Sequence, residues 1–318
     1  MKISLKEAAG RLREMEDVYI LSHQYPDGDT LGSASALCRA LRAMGKRAQT
    51  FCSDKIPHKY DFLFEGLETQ SFEPRCIVSV DIADEQLLGE KLSSYAGKID
   101  LCIDHHGSNT GYAADHCVCP DAAATTEMIY DLILLLGVEL DTAMATCIYT
   151  GISTDTGCFK YTNATPRTYR IAAEMMEKGI DAARINRLMF DTKSRARLEI
   201  ERRVLDTMDF YLEDACAIIY VTKKMVAESG AGEDDMDGLA AMPRQVEGVS
   251  VGITLREKKD GAFKVSVRTT REIDASRVCA RFGGGGHPAA AGCVLTGDIA
   301  SIKARLVQAV AEEMGKRP

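Results

Sequence analysis

The sequence predicts an α/β fold, a mostly parallel sheet flanked by helices, followed by a smaller α+β domain. Two features of the first half and one of the length point there. Short apolar runs alternate with amphipathic helical patterns, as in βαβ units. Each early run is rich in Val and Ile and too short to be a helix. The 318 residues are enough for about two domains.

In chain order, VYILS at 18–22 reads as the first strand, and a helical pattern follows near 30–44. AQTFC at 48–52, CIVSV at 76–80 and DLCI at 100–103 read as further strands. From about 122 to 190 the pattern turns helical, with Gly137, Gly157 and Gly179 as stops and Thr165-Pro166 as a start. DTKSRARLEIERR at 191–203 is almost wholly polar and reads as a solvated connecting helix. The expected organisation is a catalytic domain at 1–190, a linker helix at 191–205 and a substrate-binding domain at 206–318. In that last part, strands are expected at 217–221, 249–255, 263–267 and 292–295, and a final helix at 299–314.

Composition narrows the class. Hydrophobic residues at 46% and charged residues at 27% sit at the globular average, which disfavours disorder, collagen-like repeats and coiled coil. A formal net charge of -8, from 39 basic and 47 acidic residues, disfavours a protein that coats long nucleic acid by phosphate neutralisation. A polyanionic substrate would need local positive charge, from arginines or metal ions. Residues 1–17 contain no continuous apolar segment, so a secretory signal is not expected. The most apolar stretch, 129–140, carries Asp131 and falls well short of the roughly 20 residues a membrane span needs. Eleven cysteines with no CxxC pair fit reduced thiols, and the expected location is cytoplasmic.

Three strand-like runs end in ligand-type residues. VYILS leads into His23, Asp27 and Asp29, CIVSV ends at Asp81, and DLCI ends at Asp104-His105-His106. Asp155, after a helical run, is a fourth candidate. Taken singly, these are capping or turn residues: Pro26-Asp27-Gly28-Asp29 is an ordinary Asp-capped turn. Together they converge on the carboxyl edge of a parallel sheet, where ligands bind. Four of the six histidines fall in candidate motifs. Mixed imidazole and carboxylate ligands suit manganese, and five or more ligands exceed one tetrahedral site, so an aspartate bridging two ions is expected. A second signal is RFGGGGHPAAAG, where Gly284, Gly285 and Gly286 precede His287. Such a run either hinges or lets backbone amides approach an anion, with Arg268 and Arg271 nearby as charged donors.

These motifs, HQYPDGD, the isolated Asp81, DHHG, STDTG and RFGGGGHPAAAG, resemble the DHH phosphoesterase superfamily with its DHH-associated C-terminal domain. The two-domain form is similar to the nanoRNase and pAp phosphatase group. The resemblance implies His23, Asp27 and Asp81 on one Mn2+, with Asp29, Asp81, His105 and Asp155 on the other. Mg2+ or Co2+ are possible substitutes. Asp81 and His106 are implied as catalytic, Asp104 as an orienting residue, and Arg268, Arg271, Gly284, Gly285, Gly286 and His287 as substrate contacts. The implied active site is an interdomain cleft. The implied activity is release of mononucleotides from short RNA or DNA oligonucleotides and removal of the 3'-phosphate of pAp, in a possible homodimer. Alternatives are a cyclic di-AMP or linear dinucleotide phosphodiesterase, and a non-catalytic nucleotide sensor.

Overall fold

The computed structural model describes residues 1–236, 238–270 and 272–315. The chain divides into two units, Met1–Thr192 and Lys193–Pro318.

In the first unit, α1 (Leu5–Glu14) precedes β1 (Val18–Leu21), and α2 (Gly28–Ala43) carries the chain to β2 (Ala48–Phe51). Then come β3 (Cys76–Val80), β4 (Leu101–Asp104) and β5 (Asp115–Val118). The strands are all parallel, in the order β2-β1-β3-β4-β5. Because β2 and β3 lie on opposite sides of β1, the strand order reverses beside β1. In open α/β sheets such a reversal marks the place, at the carboxyl ends of the strands, where ligands bind. The sequence reading had missed β5. Of its four residues only Cys117 is buried, so this edge strand lacks the apolar run that marks its neighbours.

Helices α3 (Thr125–Leu136), α4 (Thr142–Asp155), α5 (Pro166–Glu177) and α6 (Ala182–Asn186) follow. Thr165 caps α5 and Pro166 opens it, while Gly137 ends α3 in the left-handed conformation. Small residues let α2 sink between its neighbours: a Cβ on Gly32 would lie 2.5 Å from the carbonyl oxygen of Cys147 on α4.

The second unit contains α7 (Arg195–Leu205), β6 (Asp209–Tyr211), β7 (Cys216–Val221), α8 (Lys223–Ser229), β8 (Val251–Glu257) and β9 (Phe263–Thr269). It continues with α9 (Ala275–Ala280), β10 (Gly285–His287), β11 (Ala290–Leu295) and α10 (Ile299–Glu313). The sheet order is β10-β11-β9-β8-β7-β6, mixed because only β7 and β8 pair in parallel. Val251, Ile253 and Leu255 alternate with Gly252, Thr254 and Arg256, so one sheet face meets the apolar sides of α9 and α10.

One expectation is corrected here. The polar stretch 191–203 is not a free connector: α7 starts at Arg195 and buries Ile200 and Val204 against Ile219, Val221 and Leu239 of the second unit. Those two residues, four apart, form the apolar stripe that the surrounding charge concealed. Arg197 and Glu201, with a nitrogen-to-oxygen distance of 2.6 Å, lie among its charged side chains. The described residues include no helix long and apolar enough to cross a membrane, and the cysteines are free thiols.

Candidate metal centre

At the carboxyl edge of the first sheet, three adjacent strands hand their next residues to one place. β1 runs on to His23, β3 to Asp81, and β4 ends in Asp104 before His105 and His106. Asp27 caps α2, its Oδ1 accepting the backbone N–H groups of Asp29 and Thr30 at 3.0 Å each. Asp81 has φ 60°, the left-handed region that aspartate tolerates better than most residues. Its own N–H stays bonded to the Ile103 carbonyl at 2.9 Å. Asp155 is the last residue of α4.

The structure brings these side chains into three overlapping groups: His23, Asp27 and Asp81; Asp29, His105 and Asp155; and Asp81, His105 and His106. His23 Nε2 stands 3.5 Å from Asp27 Oδ2 and 3.6 Å from Asp81 Oδ2. His105 Nε2 stands 3.4 Å from Asp155 Oδ2, 3.7 Å from Asp81 Oδ1 and 4.0 Å from Asp29 Oδ2. Asp81 therefore turns one oxygen to each histidine.

The donor chemistry fits a divalent cation. Ligand atoms about 2.0 to 2.2 Å from a metal lie roughly 3 to 3.6 Å from each other, close to these separations. Charge makes the same point. Burial, reinforced by repulsion from Asp29, pushes Asp81 well above the carboxylate range and Asp155 up to about 7. Asp29 is raised too, first by burial and then by Asp27, although His105 opposes this. Burial works against the His23 cation, yet Asp27 and Asp81 outweigh it and hold its pKa at about 10. The cluster keeps protons because it lacks positive charge.

A cation that enters must displace those protons. Below about pH 7 Asp155 retains one, and His23 retains one throughout the neutral range. Affinity for a divalent cation is therefore expected to rise with pH from about 6 upward through the neutral range, with proton release. Calorimetry in two buffers of different ionisation enthalpy measures both, and a pH-independent affinity would contradict the reading.

His105 Nδ1 meets the Ala122 carbonyl at 3.1 Å, which leaves Nε2 to face the cluster. His106 is held differently, its Nδ1 lying 2.7 Å from Asp104 Oδ1. That bond raises the His106 pKa despite partial burial. Burial alone would raise Asp104, but His106 and Asn109 overcome it and hold its carboxyl low. Asn109 Nδ2 donates to Asp104 Oδ2 at 2.6 Å and to the Ile82 carbonyl at 3.1 Å. Asn109, Asp104 and His106 thus form a fixed chain; the His106 side chain is 43% exposed and its Nδ1 also stands 3.6 Å from Asp81 Oδ1.

The sequence reading overlooked Asn109, Thr125 and Thr126. Helix α3 begins after Ala124, which has no side chain to cap it. Asp29 of α2 does so instead: Oδ2 accepts from Thr125 N at 2.7 Å and Oδ1 from Thr126 N at 2.9 Å. Thr126 Oγ1 also donates to Asp29 Oδ1 and Thr125 Oγ1 to Asp81 Oδ1, both at 2.8 Å. The pair followed by Glu127 and an apolar run signals a helix start, but not that an aspartate ninety-six residues away completes it.

In the second unit, Arg268 lies on β9, and the register His287↔Ala290↔Arg268 places His287 two strands away on the same sheet face. Arg268 makes no ion pair among the described residues; its Nη1 donates to the Val267 carbonyl at 3.1 Å. Beside it is a pocket lined by Thr254, Arg256, Lys264 and Ser266. Gly285, Gly286 and His287 form edge strand β10. Gly284 is demanded by packing, because a Cβ there would lie 2.2 Å from the Gly292 carbonyl oxygen. Arg271 lies outside the described residues.

Comparison with known proteins agrees with this architecture. Residues 17–152 match the DHH family N-terminal domain and residues 216–316 the DHHA1 domain. A Thermus thermophilus protein named bifunctional oligoribonuclease and PAP phosphatase NrnA is 37% identical over 93% of this chain and 90% of its own. An exopolyphosphatase-related protein from Bacteroides fragilis superposes with a TM-score of 0.86 at 25% identity, covering 97% of this chain and 95% of that one. RecJ from Thermus thermophilus, in complex with Mn2+, shares the fold at a TM-score of 0.57 and 17% identity, over 97% of this chain and 55% of its own. With its ligand-type residues gathered at the strand ends and both domains matched in order, the chain belongs to the DHH phosphoesterase family.

Proposed function

We propose that this protein is a manganese-dependent phosphoesterase that hydrolyses short oligonucleotides to mononucleotides and removes the 3'-phosphate of pAp. The observation that carries the reading is the pairing of donor groups about Asp81, with His23 and Asp27 on one side and Asp29, His105 and Asp155 on the other. Two cations held by these groups would supply the Lewis acidity that phosphoester hydrolysis needs. Four carboxylates and two divalent ions sum to about zero charge, so a phosphate is admitted despite the acidic chain.

The chain's own residues divide the remaining work. His106 offers a ring N–H to a phosphate oxygen or the leaving oxygen, its pKa raised by the hydrogen bond to Asp104. General acid catalysis of this kind contributes about 10²- to 10⁴-fold. Asp104 and Asn109 fix the direction of that donor. In the second unit, Arg268 and His287 would contact a substrate phosphate or base, and the glycines at 284–286 would let it approach the backbone.

Arg268→Ala is expected to raise KM for a dinucleotide about 10- to 100-fold, the loss of one charge-assisted contact, while Mn2+ affinity is unchanged. Equal losses in both would contradict this division. The test of the whole reading is turnover of labelled dinucleotides, longer oligomers, pAp and cyclic di-AMP with Mn2+. Mononucleotides from dinucleotides and AMP from pAp are expected. Cleavage of cyclic di-AMP alone, or nucleotide binding without turnover, would overturn it.

A further inference from the structure

The proposed metal centre raises a question of lone pairs: which oxygen of each carboxylate remains free for a cation. A carboxylate oxygen has two acceptor sites in its plane. Asp29 Oδ1 accepts both Thr126 N and Thr126 Oγ1, at 2.9 and 2.8 Å, and is full. Asp29 Oδ2 accepts Thr125 N at 2.7 Å and keeps one site, on the side of His105. Asp27 Oδ1 is filled by two backbone donors, which leaves Oδ2 towards His23. Asp81 Oδ1 accepts Thr125 Oγ1 at 2.8 Å and keeps one site near His105, while Oδ2 faces His23.

We infer that Thr125 and Thr126 are positioning residues that fix the binding mode of these carboxylates. With two cations bound, they would limit Asp29 to one contact through Oδ2 and leave Asp81 one oxygen for each ion. This rests on the reading of the cluster as a two-metal centre. Without the Thr125 hydroxyl, Asp81 is free to turn both oxygens to one side and serve a single ion. Both threonines are fully buried. Thr126 is also wedged between helices: a Cβ on Gly32 would lie 3.3 Å from its methyl group, and one on Gly151 would lie 2.4 Å from its hydroxyl oxygen. Thr126 is thus closely packed between helices, and both threonines are shut off from water, as a positioning device requires.

Thr125→Val keeps the shape and removes only the hydroxyl. The expected result is that one of two Mn2+ ions binds about 10- to 100-fold more weakly in calorimetry. At low temperature the electron paramagnetic resonance spectrum gains the six-line signal of isolated Mn2+ at the expense of the coupled pair. Thr125→Ser restores the coupled signal, and Thr125→Ala gives the same loss as valine should valine pack poorly. A merely structural role would lower the unfolding temperature of metal-free protein and leave ion number and coupling intact. A Thr125→Val protein that binds two coupled ions with wild-type affinity overturns the inference. Wild-type protein that fails to bind a coupled pair overturns the two-metal reading itself, so the two failures are distinguishable.

Discussion

Asp81→Asn is expected to lower kcat/KM with Mn2+ by about 10³- to 10⁴-fold, or roughly 4 to 5.5 kcal/mol of transition-state stabilisation. The substitution is nearly isosteric and retains an acceptor for Thr125 Oγ1, so folding is not the target. What disappears is the one negative charge shared by both groups of donors. Asp81 Oδ2 stands 3.6 Å from His23 Nε2 and Oδ1 3.7 Å from His105 Nε2, and an amide nitrogen at either position is a donor, not a ligand. Asp29, Asp27 and Asp155 serve one group each, so their amide variants should keep more activity. Steady-state kinetics across the four variants provides the comparison. A loss below about tenfold for Asp81→Asn would show that the carboxylate does not join the two groups.

Gly151→Ala should damage both stability and metal binding. On α4, the added methyl would lie 2.4 Å from Thr126 Oγ1 and Cγ2 and 2.7 Å from Asp29 Oδ1, all in a buried layer. Overpacking of this kind costs about 1 to 3 kcal/mol, and relief has to come from moving Thr126 or the carboxylate it holds. The variant is expected to unfold at lower temperature without metal and to bind Mn2+ more weakly than wild type. Gly45→Ala is the contrasting control for metal binding, since no atom lies within 4 Å of its Cβ position, although its φ of 82° strains the backbone. Wild-type Mn2+ affinity in Gly151→Ala would mean that the added methyl is accommodated without disturbing the cation site, against this prediction.

Much of this site was legible because β1, β3 and β4 each announce themselves as short apolar runs that end in aspartate or histidine. Parallel strands put all such ends on one edge. What was hidden depends on packing between distant segments. Thr125 and Thr126 meet Asp29 only because α3 points its amino end at α2, a tertiary fact with no local pattern. Asn109 lies five residues beyond Asp104, in a loop whose turn brings it back to that carboxylate. Helix α7 was misread because two buried β-branched residues were outnumbered by arginine and glutamate. The glycine run answers two demands at once: Gly284 is set by contact with β11, so its presence alone does not establish an anion site.

The measurement that bears most directly on the account is anomalous scattering at the manganese edge from crystals of Mn2+-loaded, active protein. Two peaks at full occupancy are expected, one bounded by His23, Asp27 and Asp81 and the other by Asp29, Asp81, His105 and Asp155. A single peak, or density that does not touch Asp81, would contradict it.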